Sequence, residues 1–296
     1  MQGAGGKVNT RLSTCHSATL QLCNFATLQP LQPMPNILIS NDDGVQAPGL
    51  LALKQALHAV GEVYVLAPEG NWSACGHSRT LDKPMRISPV QLADGSRAHA
   101  CNGSPADCVA LALRGAFDVT FDLVVGGINN GYNLANDLSY SGTVSCAREA
   151  AIFSVPGIAV STAHGRQTTE DLTEVRTLAA SIAADVVKQV LKNGMDRGTI
   201  LNVNIPGVSR QQLRGIEVTR MGWRSYQDEL VRREDPFGHP YYWLSGWSTN
   251  DELLAGTDIH AIANHFVSVT PVALDMTHQR FLEKLGDWSL NLNGHA

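Results

Sequence analysis

Apolar residues between positions 37 and 67 are arranged as a strand, a helix and a second strand. Ile37, Leu38 and Ile39 form a continuous apolar run, which is typical of a parallel strand that is buried on both faces. Leucines at helical spacing follow, and residues 62 to 67 (EVYVLA) again have a strand pattern. Such a strand, helix and strand form a unit with a right-handed connection and parallel strands. This unit predicts an α/β fold with a mainly parallel sheet.

The alternation of strands and helices continues as far as residue 206. Strands are predicted at residues 97 to 101, 123 to 126, 157 to 161 and 200 to 205, and helices at residues 105 to 113, 143 to 153 and 170 to 192. The longest helix carries apolar residues along one face and is followed by Gly194, so we expect it to pack on the sheet. These segments place the core of the domain at residues 34 to 206.

The pattern weakens in the last third of the chain. Residues 232 to 247 contain two prolines and the consecutive aromatic residues Tyr241, Tyr242 and Trp243, which favours an arm or a hairpin over a core element. The aromatic side chains would either fill a subunit interface or pack against their own domain, and the sequence favours neither. A short helix from residue 257 and a strand at residues 266 to 270 are expected to finish the ordered part.

The ends of the chain are assigned from their composition. Residues 1 to 33 contain no Asp or Glu, and polar residues interrupt their apolar positions, so no secretory segment is predicted. Because Met34 directly precedes the first strand, we interpret residues 1 to 33 as a disordered leader or an extension from an upstream start. The domain is expected to span residues 34 to 280, with an oligomerisation arm and C-terminal segment at 207 to 280, and a tail at 281 to 296.

Composition and charge exclude several classes of function. The formal net charge is -5, from 22 basic and 27 acidic residues, and no basic block is present, so long nucleic acid is not an expected partner. No apolar stretch approaches the roughly 20 residues that cross a bilayer, so no membrane association is expected. The six cysteines lack CxxC spacing, which argues against a zinc site and a disulfide framework. We expect free thiols and a cytoplasmic protein.

Two adjacent carboxylates, Asp42 and Asp43, follow the first strand inside the segment ILISNDDGVQAPG. Neighbouring like charges raise each other's pKa unless a cation or a set of N–H donors keeps both ionised. Residues 41 to 44 (NDDG) also have good turn chemistry, and both aspartates could simply be solvated. Taken alone, this segment indicates a cation site and a plain turn equally well.

Loops after other strands bring further oxygen donors to the same edge of the sheet. The loop at residues 68 to 78 offers Ser73, and the loop predicted at residues 127 to 143 offers Asn129, Asn130 and Asn133. Ligands of α/β sheets bind at the carboxyl ends of the strands, where these loops meet. Carboxylate, hydroxyl and amide oxygens without histidine or thiolate favour a hard cation such as Mg²⁺, Mn²⁺ or Ca²⁺.

The third loop then runs through Ser141, Gly142 and Thr143 into a predicted helix. Free backbone N–H groups and hydroxyls at a helix N-terminus favour an anion. A cation beside such a helix end predicts a phosphate-ester site, in which the cation polarises the phosphoryl group and lowers the pKa of water. The alternatives are ordinary ones, since Ser73 and Asn129 could be loop residues, and Ser141 and Thr143 could be helix caps.

Together these segments resemble the SurE family of survival-protein 5'/3'-nucleotidases. The likeness covers about residues 34 to 277 and rests on five ordered blocks: ILISNDDGVQAPG, VLAPEGNWSACGHSRTL, NGSPADCVALAL, DLVVGGINNGYNLANDLSYSGTVSCAREA and GTDIHAIANHFVSVTP. The resemblance implies a Rossmann-like three-layer core with a mainly parallel sheet. It also implies a C-terminal arm that is exchanged between the subunits of a homodimer or homotetramer.

The resemblance further implies a metal-dependent phosphomonoesterase that hydrolyses nucleoside 5'-monophosphates with metal-activated water, and it leaves open whether 3'-monophosphates are substrates too. One divalent cation per subunit, Mg²⁺ or Mn²⁺, would be held by four residues: Asp42, Asp43, Ser73 and Asn129. The substrate phosphate would be held by another four: Asn133, Ser141, Gly142 and Thr143. Asp42 is expected to orient the attacking water and to accept its proton.

Two residues near Ser73 do not match the resemblance, so it implies no substrate contacts for that side of the loop. Trp72 and Arg79 depart from the residues expected in the family's loop. His77 fits that loop, and we expect it to be an ordinary histidine that faces solvent.

Two other functions use a similar site. A haloacid-dehalogenase-like phosphatase forms an aspartyl-phosphate intermediate, but it needs the spacing Asp-x-Asp, whereas Asp42 and Asp43 are adjacent. A non-catalytic nucleotide sensor would keep the fold and lack a ligand of the cation, and none of the expected ligands is missing.

Overall fold

The protein is described by a computed structural model for residues 34–226, 229–245 and 249–288. The leader predicted at residues 1 to 33 and the end of the predicted tail, from residue 289 on, lie outside the described residues.

Nine strands form the central sheet of the described part. Their order across the sheet is β3-β4-β2-β1-β5-β6-β7-β13-β8, in which the labels follow the chain. The strands in this sheet are β1 (Asn36–Ser40), β2 (Glu62–Pro68), β3 (Ile87–Gln91), β4 (Arg97–Cys101), β5 (Leu123–Asn130), β6 (Gly157–Thr162), β7 (Thr199–Ile205), β8 (Gly215–Val218) and β13 (Phe266–Ala273). Four short strands lie outside it: β9 (Arg224–Tyr226), β10 (Glu229–Glu234), β11 (Pro240–Ser245) and β12 (Thr249–Asp251).

Six α-helices accompany the sheet. They are α1 (Pro48–Leu57), α2 (Pro105–Leu111), α3 (Gly142–Ile152), α4 (Leu172–Asn193), α5 (Asp258–Ala263) and α6 (Gln279–Gly286). A π-helical turn follows α2 at Ala112–Ala116, and a 3-10 helix precedes α3 at Ala135–Ser139.

The sheet is parallel through its centre, from β4 to β7. Antiparallel pairs occur only towards its edges in the described part, where β3 joins β4 and β13 joins β7. The predicted α/β fold with a mainly parallel sheet is therefore confirmed, and the loops that follow β1, β2 and β5 share one edge.

Alternating side chains of β1 explain why helices cover both faces of the sheet. Ile37 and Ile39 pack with leucines of α1 and with α4 on one face, and Leu38 packs with α2 and α3 on the other. All three β1 side chains are fully buried. Burying each of them stabilises the fold by roughly 1.5–3 kcal/mol. The result is a three-layer arrangement of helices, sheet and helices.

Two predicted boundaries are wrong in ways that affect the site. The strand predicted at residues 123 to 126 continues to Asn130, so Gly127 and Asn129 belong to β5 and not to a loop. The ladder with β6 resumes after a bulge, where Asn129 pairs with Ser161, and this long-range pairing overrides the loop-like glycines. The helix predicted at residues 105 to 113 ends as an α-helix at Leu111.

The C-terminal region contains the predicted hairpin. Strands β10 and β11 are antiparallel and pair only with each other among the described residues. Tyr242 and Trp243 are 56% and 63% exposed, so these aromatic side chains do not pack inward on their own domain. The expectation that order ends with the strand at residues 266 to 270 is wrong, because α6 follows β13.

The cysteines and the helices of the described residues bear on two further predictions. The four cysteines described there, Cys75, Cys101, Cys108 and Cys146, are free thiols, as expected. None of the helices described is both long enough and apolar enough to cross a bilayer.

Candidate active site

The turn after β1 is built by Asn41 and Gly44. The Asn41 side chain donates to the Gly44 carbonyl at 2.9 Å and accepts from the Gly44 N–H at 3.2 Å. Gly44 has a φ of +100°, and a Cβ there would lie 3.2 Å from the backbone of Gly70, so only glycine suits this position. Asn41 and Gly44 therefore make the turn, and the two aspartates between them are available for another purpose.

Asp42 is buried against the N-terminus of α3. Only 3% of the residue is exposed, and its Oδ1 accepts a hydrogen bond of 2.5 Å from the Thr143 hydroxyl. A Cβ on Gly142 would lie 2.6 Å from the Asp42 Cβ, so the missing side chain allows the helix end to approach. Burial raises the pKa of Asp42, while the Thr143 hydrogen bond and backbone N–H groups of α3 act in the opposite direction.

Asp43 points towards the end of β5, away from Thr143. Its Oδ2 accepts a hydrogen bond of 3.1 Å from the Asn130 backbone N–H. Burial and the neighbouring Asp42 charge raise the pKa of Asp43, and the charge of Arg176 on α4 opposes this. Two carboxylates whose ionised forms are both disfavoured in the protein alone are suited to a site that takes up a cation.

Ser73 reaches this edge on the loop that follows β2. The Trp72 backbone N–H donates to the Asp42 carbonyl at 2.7 Å, which ties the loop to the turn after β1. The Ser73 N–H donates to Asn71 Oδ1 at 2.7 Å, and the residue is exposed. Its hydroxyl makes no hydrogen bond to another described residue, so the oxygen is free for a ligand.

Asn129 lies near the end of β5, on the Asp43 side of the site. Its amide nitrogen donates to the Gly131 carbonyl at 2.8 Å, which fixes the orientation of the side chain. Asp43, Asn129 and Arg176 line one cavity of about 190 Å³. The structure thus brings Asn129 and Asp43 together, although the sequence predicted that Asn129 comes from a loop.

The N-terminus of α3 supplies the predicted phosphate-binding residues. Ser141 is the helix cap, because its hydroxyl accepts from the Val144 N–H at 3.1 Å. Thr143 is fully buried and its hydroxyl is engaged with Asp42. Ser141 and Thr143 therefore have structural partners of their own, and their contact with phosphate stays a prediction.

Asn133 is held in a buried network of amides at the ends of β6 and β7. Its N–H donates to Asn204 at 2.9 Å and its side chain donates to Ser161 at 2.8 Å. Its carbonyl accepts from Asn202 and Asn204, both at 2.9 Å. Asn202 and Asn204 were not predicted as site residues. The polar residues that alternate within the apolar strand ILNVNI were nevertheless a signal of a buried polar network.

His77 does not face solvent, contrary to the expectation from sequence. Its Nε2 lies 2.8 Å from Oε2 of Glu149, and 23% of its side chain is exposed, against 3% for Glu149. A loop position predicted exposure, but the loop folds back on α3 and brings the ring to a buried carboxylate.

The donor set fits a hard divalent cation. Asp43 and Asn129 line one cavity, and the loop that carries Ser73 is tied to the backbone of the neighbouring Asp42. The described residues contain no group of three or more His, Cys, Asp or Glu side chains that could hold a metal. A zinc site made of several His, Cys or carboxylate ligands is therefore absent from the described part. Mg²⁺ and Mn²⁺ bind oxygen ligands and need only one or two carboxylates.

Comparison with known families agrees with this arrangement. A family model described as "Survival protein SurE" matches residues 37–228 of the chain. The chain belongs to the SurE family. The match contains all eight residues that were selected as candidate site residues, and it confirms the resemblance seen in the sequence blocks.

Curated SurE relatives cover most of the chain. A protein of Chloroflexus aggregans named "5'-nucleotidase SurE" is 49% identical over 253 residues, which are 85% of this chain and 98% of the relative. A protein of the same name from Herpetosiphon aurantiacus is also 49% identical, over 84% of this chain and 96% of the relative. A third, from Geobacter sulfurreducens, is 41% identical over 86% and 94%.

A solved SurE structure has the same fold. The crystal structure of the SurE protein from Aquifex aeolicus superposes with a TM-score of 0.71 at 38% sequence identity, covering 85% of this chain and 98% of that one. The Rossmann-like α/β core implied by the resemblance is thereby supported by an experimental structure.

Proposed function

We propose that the chain hydrolyses nucleoside 5'-monophosphates to nucleoside and phosphate as a metal-dependent phosphomonoesterase. The observation that carries the proposal is the adjacent pair Asp42 and Asp43: Asp42 is buried against the N-terminus of α3, Asp43 is half-buried at the end of β5, and the pKa of both carboxyls is raised. This arrangement favours a cation on one side and an anion on the other. The name that the curated relatives share, 5'-nucleotidase SurE, supports the choice of substrate.

Four residues would hold one Mg²⁺ or Mn²⁺: Asp42, Asp43, Ser73 and Asn129. When bound, the cation would polarise the phosphoryl group and activate water for attack on phosphorus. Gly142, together with Asn133, Ser141 and Thr143, would surround the substrate phosphate at the end of α3. The absence of a side chain on Gly142 allows the end of α3 to approach Asp42 closely.

Asp42 is the residue that we propose orients the attacking water and accepts its proton. Its Oδ1 accepts a hydrogen bond from the Thr143 hydroxyl, which orients the carboxylate. In the metal-free protein, burial raises the pKa of Asp42, and a bound cation would lower that pKa again. Thr143 both orients the carboxylate and limits the rise of its pKa.

The test is phosphate release from a panel of nucleoside monophosphates, 5' and 3', with Mn²⁺, with Mg²⁺ and after chelation. We expect release from 5'-monophosphates that depends on the metal. Binding of nucleotide without release would support the nucleotide sensor and contradict the proposal. Acid quench of a single turnover with ³²P-labelled substrate should leave no label on the protein if water attacks directly, whereas ³²P-labelled protein would indicate an aspartyl-phosphate intermediate.

We propose further that the chain forms a homodimer or homotetramer through its C-terminal arm. The support is the hairpin of β10 and β11, which carries exposed aromatic residues and pairs with no other described strand. An isolated two-stranded hairpin is only marginally stable in water, so a partner surface would stabilise it.

A further inference from the structure

We propose that Arg79 is a positioning residue that holds the Ser73 loop in the conformation needed to bind the cation. The inference rests on the proposed function, since it concerns the same metal site. Arg79 is one of the two residues that we do not expect in the family's loop, and the structure gives it specific contacts.

Arg79 joins the loop to two helices through two buried carboxylates. Its Nε donates to Asp107 of α2 at 3.0 Å, and its Nη1 donates to Glu149 of α3 at 2.6 Å. The side chains of Asp107 and Glu149 are 0% and 3% exposed. Buried carboxylates destabilise a fold unless they are paired, so both carboxylates restrain the guanidinium strongly.

Two neighbours of Arg79 reinforce the same attachment. The His77 ring contacts the second oxygen of Glu149 at 2.8 Å, and the Thr80 N–H donates to Asp107 at 3.1 Å. Residues 77 to 80 therefore contact both buried carboxylates, with Arg79 as the residue that contacts both at once.

The other end of the loop reaches the site itself. Gly76 N–H donates to the Tyr140 carbonyl at 2.9 Å, next to the cap of α3, and Trp72 N–H donates to the Asp42 carbonyl at 2.7 Å. Ser73 lies between these contacts. Arg79 is bound to α3 through Glu149, and the N-terminus of α3 contacts Asp42. One helix therefore holds both the Ser73 loop and Asp42 at the proposed metal site.

Ala74 shows that the loop needs such an anchor. Its φ is +60°, a left-handed conformation that an alanine rarely adopts, and it follows Ser73 directly. Residues in this region persist only where surrounding contacts enforce them. Releasing the Arg79 attachment would let the backbone after Ser73 relax, and the Ser73 hydroxyl would then leave its place at the site.

The experiment measures Mn²⁺ binding by calorimetry to the full-length protein without substrate. We expect Arg79→Gln to weaken Mn²⁺ binding by about 10-fold, the lower end of what is seen when a residue that orients a metal ligand is removed. Arg114→Gln is the matched control, because Arg114 lines one cavity with Arg79 and Glu149 but stacks on the Phe153 ring at 4.9 Å. Among the described residues it contacts neither of the two carboxylates. We expect the control to bind Mn²⁺ within about 2-fold of the original chain.

A double substitution tests whether Arg79 acts through Ser73. In a Ser73→Ala background, Arg79→Gln should weaken Mn²⁺ binding by less than about 2-fold further, since residues that act through one another are not additive. A full 10-fold loss in that background would contradict positioning through Ser73. Arg79→Lys keeps the positive charge but loses the planar guanidinium that bonds to two carboxylates at once. We therefore expect its Mn²⁺ affinity to lie between those of Arg79→Gln and the original chain.

The outcomes separate this inference from the proposed function. Unchanged Mn²⁺ affinity in folded Arg79→Gln would overturn the positioning role and leave nucleotidase activity untouched. Should Arg79→Gln not fold, Arg79→Lys decides, and Mn²⁺ affinity equal to that of the original chain would overturn the role. Normal Mn²⁺ binding by the original chain without phosphate release would instead contradict the proposed function alone.

Discussion

Asp42 and Asp43 are neighbours in sequence, yet different parts of the fold hold their carboxylates. Asp42 is bound by the hydroxyl of Thr143, and Asp43 by the backbone N–H of Asn130. Each carboxylate therefore samples a different environment, and replacing one does not remove the contacts of the other.

Asp43→Asn should abolish most metal-dependent activity and leave the fold intact. Losing a ligand should cost more than the roughly 10–100-fold in metal affinity that is typical of residues behind the ligands. We therefore expect phosphate release at a fixed, low Mn²⁺ concentration to fall by more than about 100-fold. Circular dichroism serves as the control for folding, and activity near that of the original chain would rule out Asp43 as a ligand.

Thr143→Val removes the hydroxyl that binds Asp42 and keeps the shape of the side chain. The carboxylate remains buried with one donor fewer, so we expect the free energy of unfolding to fall by about 1–3 kcal/mol in urea titrations. Because the hydrogen bond lowers the pKa of Asp42, its loss raises that pKa further. The acidic limb of the pH–rate profile should therefore move to higher pH.

Ser145→Ala is the control for Thr143→Val. Its hydroxyl is buried in the same helix and donates to the Gly142 carbonyl at 2.5 Å without contacting a carboxylate. We expect a pH–rate profile like that of the original chain. An acidic limb that shifts equally in both variants would mean that the helix, and not the Thr143 hydroxyl, controls Asp42.

The proposed oxygen donors were chosen from the sequence because the carboxyl ends of parallel strands meet at one edge of a sheet. Their partners could not be named. Thr143 binds a residue 101 positions earlier, and Asn133 binds Asn204, 71 positions later. Such contacts depend on the path of the chain, which local patterns of residues do not encode.

At the scale of elements, the approach of α3 to the turn after β1 defines the site. Gly142→Ala would place a Cβ 2.6 Å from the Asp42 Cβ and 2.9 Å from its Oδ2. We expect the helix end to shift, with a loss of stability of about 1–3 kcal/mol, as for other overpacked positions, and a loss of metal-dependent activity. Denaturant unfolding and phosphate release measure the two effects.

Gly165→Ala is the matched control for Gly142→Ala. A Cβ there would make only an ordinary contact of 3.7 Å with Leu172. We expect stability and activity close to those of the original chain. Full activity in Gly142→Ala would show that close approach of the helix end is not required.

The elements that could be predicted are those with strong local patterns. The buried run of β1 and the long apolar face of α4 gave correct positions within two residues. The end of β5 was missed, because residues 127 to 130 were predicted to be a loop, whereas a bulge and the neighbouring β6 keep them in the sheet. Strand β3 was also missed, since none of its residues is fully buried and the apolar pattern is weak.

At the scale of the whole molecule, the two aspartates link stability to pH and to metal. Both pKa values are raised in the folded state above the ordinary value of 3.8. The folded protein thus holds these protons more tightly than the unfolded chain does, and the metal-free protein loses stability as pH rises through the raised pKa values. Metal-free Asp43→Asn should gain in Tm over the original chain as pH rises from 3.8 to neutrality.

Bound Mn²⁺ should restore, at neutral pH, the stability that the metal-free protein loses when the two aspartates ionise. At about 100 times its Kd, a ligand of the folded state stabilises it by about 2.7 kcal/mol, which corresponds to a rise in Tm of about 5–10 °C for a domain of this size. The rise should vanish as pH falls and the carboxylates protonate. Asp43→Asn is the control, and an equal rise in that variant would place the stabilising Mn²⁺ elsewhere.

The exposed hairpin should control assembly. Trp243 is 63% exposed on β11, and replacing a central interface tryptophan commonly costs 2 kcal/mol or more, about 30-fold in Kd. We expect light scattering to show a dimer or tetramer for the original chain and smaller species for Trp243→Ser. Ile152→Ser, which alters a residue 56% exposed on α3, is the control. A monomeric original chain would contradict the proposed assembly.

The glycines where strand and helix nearly touch have a consequence for how this sequence can vary. A Cβ on Gly126 would collide with the Thr143 carbonyl, as one on Gly142 would collide with Asp42. Neither glycine carries a chemical group of its own. We nevertheless expect a saturation scan scored by turnover to show that both glycines tolerate substitutions as poorly as the two aspartates do. Positions where no side chain fits would then mark the site as clearly as the proposed ligands.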